Sequence, residues 1–158
     1  MSDDAVHERW MKFALTEAEK ACELEETPVG AVIVKNGKII GKAGNRVVTL
    51  KDPTAHAEII AIGAACGAVD YERLLDTTMY VTLEPCPMCA GAIVLARIPR
   101  LVYGVKDPKS GACGSICNIC SDKSLNHQVE VTSGVMEREC SGILYEFFQS
   151  LREKNKKQ

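Results

Sequence analysis

The stretch Thr82-Leu83-Glu84-Pro85-Cys86-Pro87-Met88-Cys89-Ala90-Gly91 constrains this chain more than any other. It reads as the end of a strand running directly into a helix. Pro87 suits the first helical position, where a missing N–H costs nothing, which makes Cys86 the N-cap and Cys89 the third helical residue. Both sulfurs then lie over one helix end and can converge on one metal ion. Upstream, His56-Ala57-Glu58 places a histidine and a carboxylate in a second short run. A fold that accommodates both runs has to bring two strand-to-helix junctions to the same place.

Patterning around these runs predicts alternating strands and helices. Ser2 or Asp3 caps a first helix to about Cys22, with Met11, Ala14, Leu15, Ala18, Ala21 and Cys22 on one apolar face. Glu25-Glu26-Thr27-Pro28 breaks it. Val29 to Val34 reads as a strand and Lys38 to about Asn45 as its return, joined by Asn36-Gly37, which accepts the positive φ angles of a tight hairpin turn. Asp52-Pro53-Thr54 starts a second helix, from about Ala55 to Ala65, closed near Gly67. Thr78 to Leu83 is a third strand, and the cysteine-bearing helix ends near Ala96. Leu101 to Gly104 and Val129 to Ser133 read as further strands, before a last helix from about Met136 to Lys154.

Strand–helix alternation through the middle implies parallel pairing there, with the hairpin adding antiparallel strands. The expectation is an α/β fold, a mixed five-stranded sheet with helices on both faces, forming a single domain over residues 1–158. Val105 to Gln128 is a long loop of weak periodicity, and loops that long inside compact domains are usually functional or disordered.

Composition matters chiefly for the cysteines, of which there are eight. Met1-Ser2-Asp3-Asp4 is acidic where a secretion leader would be basic and then apolar, so metal ligands plus free thiols in a reducing cytoplasm fit better than a disulfide framework. No run approaches the roughly 18 apolar residues of a membrane span. The net charge of −2 gives no global pull toward nucleic acid, so an RNA partner would need a local basic patch.

His56, Cys86 and Cys89 make a three-ligand set that leaves one tetrahedral position for water, the mark of a catalytic rather than a closed zinc site. Zinc lowers the pKa of bound water from 15.7 toward about 7. On a helix mid-section His56 and Glu58 would point about 200° apart, so they serve one site only at a helix N-terminus. Glu58 is then a proton carrier between water and substrate and not a ligand. Cys113, Cys117 and Cys120 form a second cysteine cluster. They read as small buried thiols, with a second metal, His127 as its fourth ligand, left open as an alternative. Cys22, Cys66 and Cys140 read as core.

Together with Pro28-Val29-Gly30-Ala31-Val32, Asn45-Arg46, Gly104-Val105-Lys106-Asp107, Gly111 and Asn126-His127, these motifs resemble the tRNA-specific adenosine deaminases, a branch of the cytidine-deaminase superfamily. The resemblance spans about Pro28 to Phe148. It implies a cytidine-deaminase-like three-layer α/β/α fold and hydrolytic conversion of adenosine to inosine at wobble position 34 of tRNA. A zinc-activated water would attack, with one Zn2+ per chain held by His56, Cys86 and Cys89 and Glu58 as proton shuttle. It further implies that Asn45 hydrogen-bonds the flipped base, that Val29 packs against it and that the backbone at Ala57 helps position the reacting centre. Asp107, Asn126, Phe148 and Arg152 would hold the anticodon stem-loop, and the enzyme would be a cytoplasmic homodimer.

Other readings stay open at this point. Asn45 can serve a turn, Phe147 or Phe148 the core, and Arg152 with the lysines after it a solvated helix end. Lys106, Lys109 and Lys123 are better candidates for phosphate contacts. The same chemistry could act on a free guanine- or cytosine-type base or nucleoside. A zinc-stabilised RNA-binding subunit without catalysis would have no need of Glu58.

Overall fold

In a computed structural model, which describes residues 2–157, Ser2 caps the first helix by accepting a hydrogen bond from the Ala5 N–H. Met1 and Gln158, the ends of the expected domain, lie outside the described residues. That helix, α1, spans Asp3–Glu23 and is followed by the hairpin strands β1 (Gly30–Lys35) and β2 (Lys38–Gly44). Asn36 and Gly37 sit between them at φ 50° and 71°, the left-handed pair that a type I′ turn requires. Next come a one-turn helix α2 (Val47–Leu50), α3 (Ala57–Val69), β3 (Thr78–Leu83) and α4 (Pro87–Leu95). The chain ends with β4 (Arg100–Val105), β5 (Glu130–Thr132) and α5 (Glu137–Lys156).

The five strands form one mixed sheet in the order β2-β1-β3-β4-β5. β1 is antiparallel to both β2 and β3, whereas β3–β4 and β4–β5 are parallel. Thus β2 and β3, which α3 connects, run the same way without pairing, because β1 lies between them. Side chains alternate across the sheet. Ala31, Ile33, Met79, Val81, Leu101 and Tyr103 pack with Ala57, Ala61, Ala65 of α3 and Ala90, Ile93 and Val94 of α4. Val32, Val34, Tyr80 and Val102 meet Trp10, Met11, Ala14 and Leu15 of α1 and Cys140 of α5 on the other face. This is the three-layer α/β/α arrangement.

Two glycines allow the layers to close. A Cβ on Gly30 would fall inside the α1 backbone at Ala14 and Ala18, and one on Gly41 would collide with α3 at Ala61 and Ala65.

The structure moves the start of the second predicted helix. α3 begins at Ala57, not Ala55, with His56 as an extended N-cap at φ −74°, ψ 152°. Asp52 does not cap it. Its Oδ1 instead accepts from the N–H and hydroxyl of Thr54, at 2.8 and 2.7 Å, closing a separate turn, and the Ala55 carbonyl accepts from the Arg46 N–H. At the other end α3 passes through Gly67 and stops where Asp70 turns left-handed. α2 was not expected. Its N–H groups at Val48 and Thr49 donate to the Glu26 carboxylate at 3.1 and 2.6 Å, and the Thr49 hydroxyl does so at 2.6 Å.

Candidate metal centre and active site

The two ligand-bearing helices start side by side at the C-terminal end of the sheet. β3 delivers Glu84 and Pro85 to Cys86, the N-cap of α4, with Pro87 in the first turn and Cys89 one turn in. β2 leads through α2 to His56, the N-cap of α3. His56 Nδ1 lies 3.6 Å from Cys86 Sγ and 3.5 Å from Cys89 Sγ. A tetrahedral ion at the usual Zn–N and Zn–S lengths, about 2.1 and 2.3 Å, separates N from S by about 3.6 Å. The spacing therefore fits zinc. Among the described residues this is the one group of three or more His, Cys, Asp or Glu side chains that could hold an ion.

Both helix N-termini point at this cluster and favour thiolate there. The Cys86 thiol is lowered to about 5, first by a hydrogen bond from the Cys89 thiol, with the N–H groups of Cys89 and Met88 and the charge of His56 adding to it against the effect of burial. Cys89 moves the other way, because it shares its proton with Cys86 and is buried. A dication is held by thiolates, so binding one at Cys86 and Cys89 would release thiol protons.

Glu58, in the first turn of α3, is 4% exposed. Burial raises its carboxyl to about 6, with the Cys86 thiolate adding to the rise and its own backbone N–H and His56 opposing it. A carboxyl group with a value near neutrality, beside a metal cluster, suits general acid and base work.

A pocket of about 270 Å³ opens over the cluster, lined by Thr27, Val29, Asn45, His56, Glu58, Leu83, Glu84, Cys86, Asp107 and Ser110. Six residues singled out in the sequence therefore meet there: Val29, Asn45, His56, Glu58, Cys86 and Asp107. Ala57 is fully buried at the first position of α3. A second cavity of about 510 Å³ shares Thr27, Leu83, Asp107 and Ser110 with the first and adds Lys106, Lys109, Tyr145 and Phe148, among others. Tyr145 is 66% exposed and Phe148 42% exposed, so their rings are open to solvent. Arg152 is exposed one turn beyond Phe148 on α5.

Asn126 and Lys123 are not brought to these cavities. Both are exposed, in the segment before β5, where His127 Nε2 donates to the Ile98 carbonyl at 2.8 Å near the N-terminal end of β4. The loop cysteines do not converge on an ion. Cys113 and Cys120 are buried with their sulfurs 3.5 Å apart, Cys117 is exposed, and His127 is engaged elsewhere. Cys140 is core as expected and the half-buried Cys66 packs against the core, whereas the half-buried Cys22 belongs to neither core cluster and lines a surface groove between α1 and α5.

Thr27, Leu83, Glu84 and Ser110 were missed as pocket residues. Leu83 and Glu84 could have been found, since residues between a strand end and a ligand-bearing helix must line the site. Glu84 is 2% exposed. Its carboxylate accepts from the N–H groups of Asp107, Cys113 and Ser115 at 3.1, 3.0 and 3.1 Å and from the Ser115 hydroxyl. Burial alone would raise its carboxyl, but these bonds outweigh burial and hold it below the usual range.

Residues 5–152 match the MafB19-like deaminase family. The chain is 51% identical to the tRNA-specific adenosine deaminase of Bacillus subtilis, over 94% of its length and 92% of that protein. Among solved structures it superposes with a TM-score of 0.83 on a tRNA A34 deaminase studied for A-to-I editing at the wobble position of transfer RNA. The two are 49% identical over 86% of this chain and 99% of that one. It also resembles a guanine deaminase from Bacillus subtilis, with a TM-score of 0.61 and 44% identity over 63% of this chain and 64% of that one.

Proposed function

Because this chain belongs to the MafB19-like deaminase family and is half identical to a tRNA-specific adenosine deaminase across nearly its whole length, we propose that it hydrolyses adenosine to inosine at position 34 of tRNA. The balance is adenosine plus water to inosine plus ammonia. The observation that carries the substrate is the shared wall of the two cavities. The first, at about 270 Å³, is below the roughly 300–1,000 Å³ of sites for drug-sized ligands, and so has room for one base rather than a nucleotide run. The second offers Lys106 and Lys109 for phosphates and the open rings of Tyr145 and Phe148 for stacking, the combination that single-stranded RNA sites use.

A zinc ion held by His56 Nδ1 and the sulfurs of Cys86 and Cys89, one per chain, would supply a water acidified toward neutrality. Asn45 holds the flipped base by hydrogen bonding, and Val29 packs against its face. Glu58 takes up the first proton of the attacking water and delivers it to ring nitrogen N1, then takes the second from the new hydroxyl at C6 and delivers it to the departing amine. Burial keeps Glu58 in a protonation range where both halves of that exchange are accessible at neutral pH. Ala57, buried at the start of α3, fixes the backbone between the ligand and the proton carrier. Asp107, Phe148 and Arg152 belong to the RNA-facing side, and Asn126, distant from this chain's own pocket, would reach RNA only at another part of the stem-loop or from a second subunit.

The character of α3 and α4 supports a homodimer. After Glu58 neither helix carries a charged side chain, yet Gly63, Ala64, Met88 and Leu95 face solvent. Helices apolar all round are normally covered. We read the chain as one deaminase domain acting in the cytoplasm, in keeping with eight free thiols and a tRNA substrate; among the described residues no helix is long and apolar enough to cross a membrane. The guanine deaminase likeness favours a second reading, a free purine base as substrate. Incubating the zinc-loaded protein in parallel with an A34 anticodon stem-loop and with free guanine separates the two.

A further inference from the structure

We infer that Glu84 is a positioning residue, whose buried carboxylate sets where residues 107–115 stand against the metal cluster. It lies two residues before Cys86, so the junction that presents a ligand sulfur also carries the anchor for the opposite wall of the pocket. The anchor is dense. Three backbone N–H groups and one hydroxyl converge on the two oxygens, and all four donors come from one loop, at Asp107, Cys113 and Ser115. Gly111 completes the fit, because a Cβ there would collide with the Glu84 carboxylate itself. A second tie, Ala112 N–H to the Pro85 carbonyl at 2.8 Å, runs alongside.

A buried carboxylate meeting four donors is an arrangement an amide cannot copy, since Gln turns a donor toward donors and leaves N–H groups unpaired. The pocket residues that this anchor serves are Asp107 and Ser110, which line both cavities. Neither is part of the metal cluster. Loosening the loop should therefore weaken substrate holding far more than the chemical step.

The kinetic half of this inference rests on the deamination reading; the structural half does not. The experiment combines amide hydrogen exchange by NMR, zinc analysis and steady-state kinetics on an A34 stem-loop, for wild type, Glu84→Gln, Ser115→Ala and Gly111→Ala. In Glu84→Gln the Asp107, Cys113 and Ser115 amides should exchange at least about tenfold faster, with zinc content unchanged. KM for the RNA should rise about tenfold while kcat stays within about threefold. Gly111→Ala, which keeps the carboxylate but crowds it, should give the same split, and Ser115→Ala a smaller one. Unaltered exchange at those amides, or a loss confined to kcat, overturns the inference. Should wild type make no inosine, the tRNA reading fails and the exchange data alone decide the positioning role. Should Glu84→Gln not fold, the Ser115 and Gly111 variants carry the same test.

Discussion

His56 Nδ1 stands 3.5 Å from Cys89 Sγ although the two residues are 33 positions apart and begin different helices. Neither helix alone can hold an ion, so the cluster is a product of the β3–α4 and α2–α3 junctions meeting at one sheet end. His56→Ala and Cys89→Ala should each reduce bound zinc from one per chain to background and abolish turnover. Metal analysis of the purified variants checks this; full zinc in either variant contradicts the ligand set.

Glu58 is placed beside the cluster without belonging to it. Glu58→Gln should keep one zinc per chain and lose about 10²–10⁴ in kcat, the range that positioned proton transfer supplies. Kinetics on zinc-quantified protein give the answer. Activity within a few-fold of wild type would remove Glu58 from the proton path.

The α4 junction was legible in the sequence because Pro87 can occupy only the first turn, which fixed Cys86 and Cys89 on one helix end. The start of α3 was less so. Asp52 carries a capping side chain, but that side chain is spent on Thr54, and nothing local reveals the preference. α2 was invisible for a different reason: its N–H groups are satisfied by Glu26, 22 positions upstream. The same holds for the loop after β4, whose shape depends on Glu84 far behind it. Long-range carboxylate anchors leave no periodicity to read.

Glu26 predicts a pH dependence of stability. Burial alone would raise its carboxyl, but the Thr49 hydroxyl, the Thr49 and Val48 N–H groups and the charge of Arg46 outweigh it and lower the value. A carboxyl lowered in the folded state stabilises above its unfolded value, about 4.3, and that stability is lost as pH falls through the folded value. Urea denaturation from pH 7 to 3 should show Glu26→Gln less stable by about 1–3 kcal/mol at neutrality, with a shallower acid loss than wild type. Parallel curves would contradict the role of Glu26.

Leu95 is 78% exposed on a helix without charge. If α3 and α4 form the subunit interface, Leu95→Glu should convert a dimer to a monomer in sedimentation, while the same change at exposed Val48 leaves the dimer intact. A dimer insensitive to Leu95→Glu places the interface elsewhere.

The His56–Cys86–Cys89 cluster and Glu58 are arranged to act on one base of an RNA loop. The direct measurement is nucleoside analysis of an anticodon stem-loop carrying A34 after incubation with the zinc-loaded chain, beside free guanine. The expected result is inosine at position 34 and no change in guanine. Ammonia released from guanine with A34 left intact would contradict it.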